Sequence, residues 1–167
     1  MSQLHVRLLE PRDSLQELTA VLHRAYKRLA DMGFNYTATN QPVETTRERI
    51  KDNECFIALD GTRIVGTALL IPRRLEKPEW ANRPGVCYAG QLGVDPDYRH
   101  LGLGARLMDA IENRARELGF QEIGGDTSEG ADYLLRFYQG RGWRIVGHHH
   151  WPGKTYRSVI LAMRLTD

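Results

Sequence analysis

The chain has 167 residues, 41% of them apolar and 26% charged, which suits one globular domain, 1–167, with a substantial core. Lys and Arg number 23 against 21 Asp and Glu, and a net charge of +2 is too small to imply a nucleic acid or a membrane surface as partner. No apolar run approaches the ~18 residues needed to span a bilayer, and Met1 to Glu10 lacks the apolar core of a signal peptide, so a cytoplasmic protein is expected. Cys55 and Cys87 both lie in apolar segments and read as buried free thiols.

Leu4 to Leu9 reads as an edge strand stopped by Pro11. Asp13 or Ser14 caps a helix from about Leu15 to Ala30, whose Leu15, Leu18, Leu22, Ala25 and Leu29 fall at helical spacing. Gly33 ends it, and Phe34 to Pro42 is polar and irregular. Thr45 or Thr46 caps a short helix through about Lys51. Cys55–Leu59 and Ile64–Ile71, joined through Asp60-Gly61, form a hairpin. Pro72 to Gly85 is a long loop, followed by a strand, Val86–Val94.

Next comes Asp95-Pro96-Asp97-Tyr98-Arg99-His100-Leu101-Gly102-Leu103-Gly104-Ala105, a turn and a glycine loop opening into a helix from Gly104 to about Leu118. Such a loop aims several backbone N–H groups at one spot, where the helix dipole favours an anion. The order then runs strand (Gln121–Thr127), helix (Ala131–Gln139) and two strands (Trp143–Gly147 and Tyr156–Leu165). The helix after the glycine loop makes a crossover joining parallel strands. The sum is a mixed α/β fold. A dinucleotide fingerprint would place G-x-G-x-x-G after the first strand, and a Walker loop would need Gly-Lys-Ser/Thr; this chain offers neither.

Arg99-x-x-Gly102-x-Gly104 resembles the acyl-CoA loop of the GNAT superfamily of N-acetyltransferases, Gln/Arg-x-x-Gly-x-Gly/Ala. Leu92-Gly-Val94-Asp-Pro96 is similar to the strand end that precedes that loop, and Leu135-Arg-Phe137-Tyr138-Gln-Gly-Arg-Gly142-Trp143 to the family's Phe-Tyr…Gly-Phe segment. The resemblance covers nearly the whole chain. It implies a central, mostly antiparallel twisted sheet of about seven strands flanked by about four helices. It also implies acetyl-CoA as co-substrate and direct transfer to the primary amine of a small molecule, amino acid or peptide in a ternary complex. A homodimer through the C-terminal strands is a further expectation.

By the same resemblance, the pyrophosphate lies on the N–H groups from Arg99 through His100, Leu101, Gly102, Leu103, Gly104 and Ala105. Leu92, Gly93 and Val94 offer backbone groups to the pantetheine arm, and the Leu92 N–H polarises the acetyl carbonyl. Tyr133 flanks the cofactor. Tyr138 matches the tyrosine that protonates the leaving thiolate.

The general base does not carry over. Val86–Val94 contains no acid; Tyr88 and Gln91 are its polar side chains, expected to position a water. Residues three apart face opposite sides of a regular strand, and a bulge near Gly90 or Gly93 would bring these two together. Glu54, Asp126 and Glu129 are acids at strand or loop ends, with solvated or capping roles as the plainer reading. Tyr26, Asn35, Tyr36 and Thr37 are candidates for the acceptor pocket. His148-His149-His150 lacks a neighbouring carboxylate or cysteine and reads as an exposed strand end, so no metal is expected. Trp151 is read as packing at a subunit contact. The alternative function is a non-catalytic acyl-CoA-binding or sensing module on the same fold.

Overall fold

The computed structural model describes residues 3–72 and 79–166. Its sheet has seven strands: β1 (Leu4–Leu8), β2 (Glu54–Asp60), β3 (Arg63–Ile71), β4 (Val86–Val94), β5 (Glu122–Ser128), β6 (Arg144–His149) and β7 (Ser158–Arg164). They lie in the order β1-β2-β3-β4-β5-β7-β6, and every neighbouring pair is antiparallel except β4–β5. Four helices accompany it: α1 (Leu15–Asp31), α2 (Val43–Ile50), α3 (Leu103–Glu117) and α4 (Asp132–Gly140). The parallel pair is joined through α3, as the crossover reading requires.

Period-two alternation divides the core. Phe56 and Ala58 of β2, with Val65, Ala68 and Leu70 of β3, pack toward Leu107, Met108 and Ile111 of α3. Their neighbours Cys55, Ile57, Leu59, Ile64 and Leu69 pack toward Leu18 and Val21 of α1. Ser14 caps α1, its hydroxyl accepting from the Glu17 N–H at 3.1 Å. A salt bridge from Arg7 to Asp13, 2.7 Å long, ties β1 to the approach to α1.

Three boundaries differ from the sequence reading. The second helix begins at Val43 behind Pro42, not at a threonine cap. Proline presets a helix-entry φ, and the Thr46 hydroxyl is occupied elsewhere, at 2.7 Å from that of Thr19 and accepting from Gln41 Nε2 at 2.8 Å. Trp143 is not a strand residue: it is buried, its indole N–H donating to Glu112 of α3 at 3.1 Å. The sixth strand therefore starts at Arg144 and takes in His148 and His149. Of the expected 72–85 loop, residues 73–78 lie outside the described residues, and Glu79–Asn82 forms a 3-10 turn.

Candidate active site

The site forms where β4 and β5 part. Val86↔Glu122, Cys87↔Ile123 and Tyr88↔Gly124 are in register, and the ladder ends there. Beyond that pair one backbone edge of β4, from Ala89 to Val94, opens on a cleft, while β5 keeps its pairing with β7 on its far side through Ser128. Trp80 and Tyr88 crowd over Gly124, where an added Cβ would lie 2.5 Å from the Trp80 ring.

A bulge in β4 reshapes the cleft wall. Thr67 faces Gly93 and Leu69 faces Gly90, so Gln91 and Leu92 together oppose Ala68. Gln91 takes a left-handed φ of 54°, a conformation that costs an L residue about 1–2 kcal/mol. Its buried side chain is held by Gln41 Nε2, which donates to Gln91 Oε1 at 3.1 Å; Gln91 Nε2 is buried with no hydrogen-bond partner. The bulge turns Tyr88 and Gln91 to the same face, the one covered by α1 and α2.

At the end of β4, Asp95 is 1% exposed and accepts from Arg24 of α1 at 2.8 Å and from the Asp97 N–H at 3.0 Å. Burial works against its charge, but those donors outweigh it and hold its carboxyl below the usual range. The glycine loop follows. His100 and Gly102 adopt left-handed φ of 68° and 76°, and Gly102 precedes the first turn of α3. The N–H groups of that first turn have no partner within the helix. Arg99 and Arg28 flank the loop without an acidic partner among the described residues: Arg99 donates to the Ala25 carbonyl at 2.9 Å, and Arg28 lies 3.8 Å over the Tyr133 ring. Gly93 lets α1 approach β4, since a Cβ there would meet that of Ala25 at 2.9 Å.

Tyr138 reaches the cleft from α4, its ring 5.3 Å from Phe137 and 5.1 Å from Trp143. Arg141, at the end of α4, pairs with Asp109 and Glu112 of α3 and fixes the segment. Burial pushes the Tyr138 hydroxyl above its ordinary value, with Tyr36 and Asp126 adding to the effect. That hydroxyl makes no hydrogen bond among the described residues.

The opposite wall is made of side chains brought together over long sequence distances. Tyr36 Oη lies 2.6 Å from Thr127 Oγ1 and accepts from the Ser128 N–H at 2.7 Å, while burial pushes it up to about 12. Its ring stacks on Tyr156 at 4.8 Å and lies 5.5 Å from Tyr26. Asn35 clamps the β6–β7 turn, donating to the Gly153 carbonyl and accepting from the Thr155 N–H. The Tyr88 hydroxyl donates to Asp126 Oδ1 at 3.0 Å, and the Trp151 indole to Asp126 Oδ2 at 2.8 Å. Tyr88 is 2% exposed, and its hydroxyl is engaged on Asp126. Asp126 is half-buried and accepts from both Tyr88 and Trp151, whereas Glu54 and Glu129 pair with Arg114 and Arg157. Trp151, read from the sequence as a subunit contact, is engaged inside the chain, on Asp126 and against His149 at 4.5 Å.

A cavity of about 390 Å³ adjoins this wall, lined by residues of 35–45 and by Lys154. Gln41 and Lys154 line it and Arg49 donates to Gln41 at 3.0 Å; sequence reasoning missed all three. Their signal in the sequence is weak, because each matters only through partners remote along the chain. Among the described residues, no group of three or more His, Cys, Asp or Glu side chains could hold a metal, and no helix is long and apolar enough to cross a membrane.

Residues 17–143 match the model of the acetyltransferase (GNAT) family. The chain belongs to this family. It is 26% identical over 166 residues to the S-(2-succino)cysteine N-acetyltransferase of Bacillus subtilis, covering 95% of this chain and 94% of that one. The fold of this GNAT protein is shared with the ribosomal-protein-S18-alanine N-acetyltransferase of Escherichia coli, at a TM-score of 0.75 and 14% identity over 99% of this chain and 96% of that one. It is shared also with a Bacillus subtilis acetyltransferase in complex with CoA, at 0.71 and 19% identity over 97% and 99%. The seven-stranded mixed sheet with four helices is thus the GNAT acyltransferase fold expected from the sequence.

Proposed function

We propose that this GNAT protein transfers an acetyl group from acetyl-CoA to the amine of a small molecule, within a single 1–167 domain acting in the cytoplasm. The observation that carries the reading is the fork between β4 and β5, with a bulge on one arm, a loop rich in free N–H groups at its end and a tyrosine hydroxyl from α4. The residues fit acetyl-CoA: an open strand edge suits an extended amide-bearing arm, and left-handed Gly102 lets the backbone approach a pyrophosphate. Leu92, Gly93 and Val94 would hold the arm, residues 99–105 the pyrophosphate, and Arg28, Arg99 and Tyr133 would line its approach. Bound acetyl-CoA supplies an acetyl group activated as a thioester.

The protein's own groups then divide the proton work. The Leu92 N–H, on the bulge, is a fixed donor for developing oxyanion charge; such donors are worth about 3 kcal/mol. Tyr138, kept protonated by burial, donates to the departing sulfur. The attacking nitrogen must lose a proton, and Asp126, held by Tyr88 and Trp151, receives it directly or through a water that Gln91 orders. The named activity of the Bacillus subtilis relative supports a small-molecule acceptor.

The test is incubation with acetyl-CoA and a panel of amines, read as free thiol and as a product heavier by one acetyl group. Acceptor-dependent release with that product supports transfer. Tight acetyl-CoA binding with no release for any amine favours the acyl-CoA-binding module instead.

A further inference from the structure

Arg49 belongs to α2, and its guanidinium turns inward rather than to solvent. It donates to Gln41 Oε1 at 3.0 Å. Gln41 in turn donates to Gln91 Oε1, so a chain of two side-chain hydrogen bonds runs from the bulge to this cation. Arg49 forms no close ion pair among the described residues; besides burial, Tyr26, Asp126 and Tyr156 act on it, Asp126 being an acid near enough to favour its charge. Burial pushes its guanidinium below the ordinary value.

Lys154 approaches the same wall from the β6–β7 turn. It donates to the Asn35 carbonyl at 2.9 Å and to Thr37 Oγ1 at 3.0 Å, and it too forms no close ion pair among the described residues. Burial lowers its ordinary value first, and the nearness of Arg49 lowers it further. Two cations that repel one another are therefore hydrogen-bonded to neutral carbonyl, amide and hydroxyl oxygens, while Asp126 favours the charge of both without a close ion pair to either. A protein tolerates a desolvated guanidinium when it is paired; Arg49 forms no ion pair among the described residues, and a bound carboxylate would supply one. Four of the five N–H donors of Arg49 are not spent on Gln41, which leaves the planar fork available for a carboxylate.

We propose that Arg49 and Lys154 form a carboxylate-binding site, and that the acceptor is an amino acid whose carboxylates dock there while its amine faces the fork. The inference rests on the acetyl-transfer reading of the fork and narrows its substrate to an anionic α-amino acid, most simply one with more than one carboxylate. Gln41 is the positioning residue: it holds Arg49 and the bulge at Gln91 in one frame. Simple amines such as alkylamines or polyamines place nothing on the two cations and are poor acceptors.

The experiment compares S-(2-succino)cysteine, methionine and their methyl esters as acceptors at saturating acetyl-CoA. It uses the full chain and its Arg49→Gln, Arg49→Lys and Lys154→Gln variants, with melting temperatures to confirm folding. The wild type prefers acid over ester, and Arg49→Gln lowers that preference at least ~10-fold through acceptor KM, the size of a charge-assisted hydrogen-bond pair. Arg49→Lys loses less, and KM for acetyl-CoA stays put. Equal use of acid and ester by the wild type, or loss of both alike in Arg49→Gln, overturns the proposal. Calorimetry with CoA present separates the two readings. Arg49-dependent binding of S-(2-succino)cysteine without turnover keeps the carboxylate site and removes acetyl transfer. Turnover of amines that ignores Arg49 keeps transfer and removes the carboxylate site. Failure of the acid to bind at millimolar concentration removes the site as well.

Discussion

The two sides of the cleft are built on different principles. The side running from β4 through the glycine loop into α3 is contiguous in sequence and presents mainly backbone: an open strand edge, a bulge, a left-handed glycine and the first turn of a helix. The facing side presents side chains, and it gathers them from far apart. Tyr36 meets Thr127 across 91 residues, Lys154 meets Asn35 across 119, and Gln41 meets Gln91 across 50. Backbone recognition suits a ligand that is the same throughout a family. Side-chain recognition lets one fold change its acceptor without disturbing the other wall.

That contrast can be broken by substitution, and the largest effect is expected where the two sides meet. Tyr138→Phe removes the proposed proton donor and nothing from its packing. Turnover should fall at least ~10-fold in a thiol-release assay, while the dissociation constant for acetyl-CoA changes less than ~2-fold. On the backbone side, Gly93→Ala drives a Cβ to 2.9 Å from that of Ala25. The resulting overpacking should cost about 1–3 kcal/mol, read as a melting point lower by roughly 3–9 °C, and should weaken acetyl-CoA binding. On the side-chain side, Tyr36→Phe leaves the Ser128 N–H without its acceptor at about 1–2 kcal/mol. It should raise acceptor KM and spare acetyl-CoA affinity; equal damage to both constants would erase the division of labour.

The smallest effect belongs to a residue outside both sides. The Arg7 guanidinium, hydrogen-bonded to Asp13, holds that carboxyl at about 2, below the unfolded value of about 3.9. A depressed value means stability that is present above pH ~4 and lost as pH falls through ~2. After allowance for solvent screening, Asp13→Asn should cost about 1 kcal/mol at neutral pH in denaturant titrations, and the cost should shrink as pH falls from ~4 toward and below ~2. Acetyl transfer per folded molecule should be unchanged.

The same contrast explains what could be read from the sequence. The loop Arg99–Ala105 was legible because close backbone approach demands glycine at fixed spacing. The strand and helix patterns were legible because Ile57, Ile64 and Leu69 alternate with Ala58, Val65 and Leu70 between the two faces of one sheet. A bulge near Gly90 or Gly93 is one way for Tyr88 and Gln91 to share a face, and the structure has it at Gln91-Leu92. The second helix starts at Val43 and not at a threonine cap because Thr46 spends its hydroxyl on Thr19 and Gln41. Asp126 looked like any acid at a strand end until Tyr88 and Trp151 converged on it from 38 and 25 residues away. Arg49 left no local sign at all, being one of several charges on a short polar helix.

The most direct test is thiol release from acetyl-CoA by wild type and Tyr138→Phe, with and without S-(2-succino)cysteine. Release that needs the amine and falls at least ~10-fold in the variant, with acetyl-CoA still bound, is the expected result. Amine-independent release, or equal rates in the two proteins, would contradict a cleft in which backbone holds the donor and Tyr138 completes the transfer.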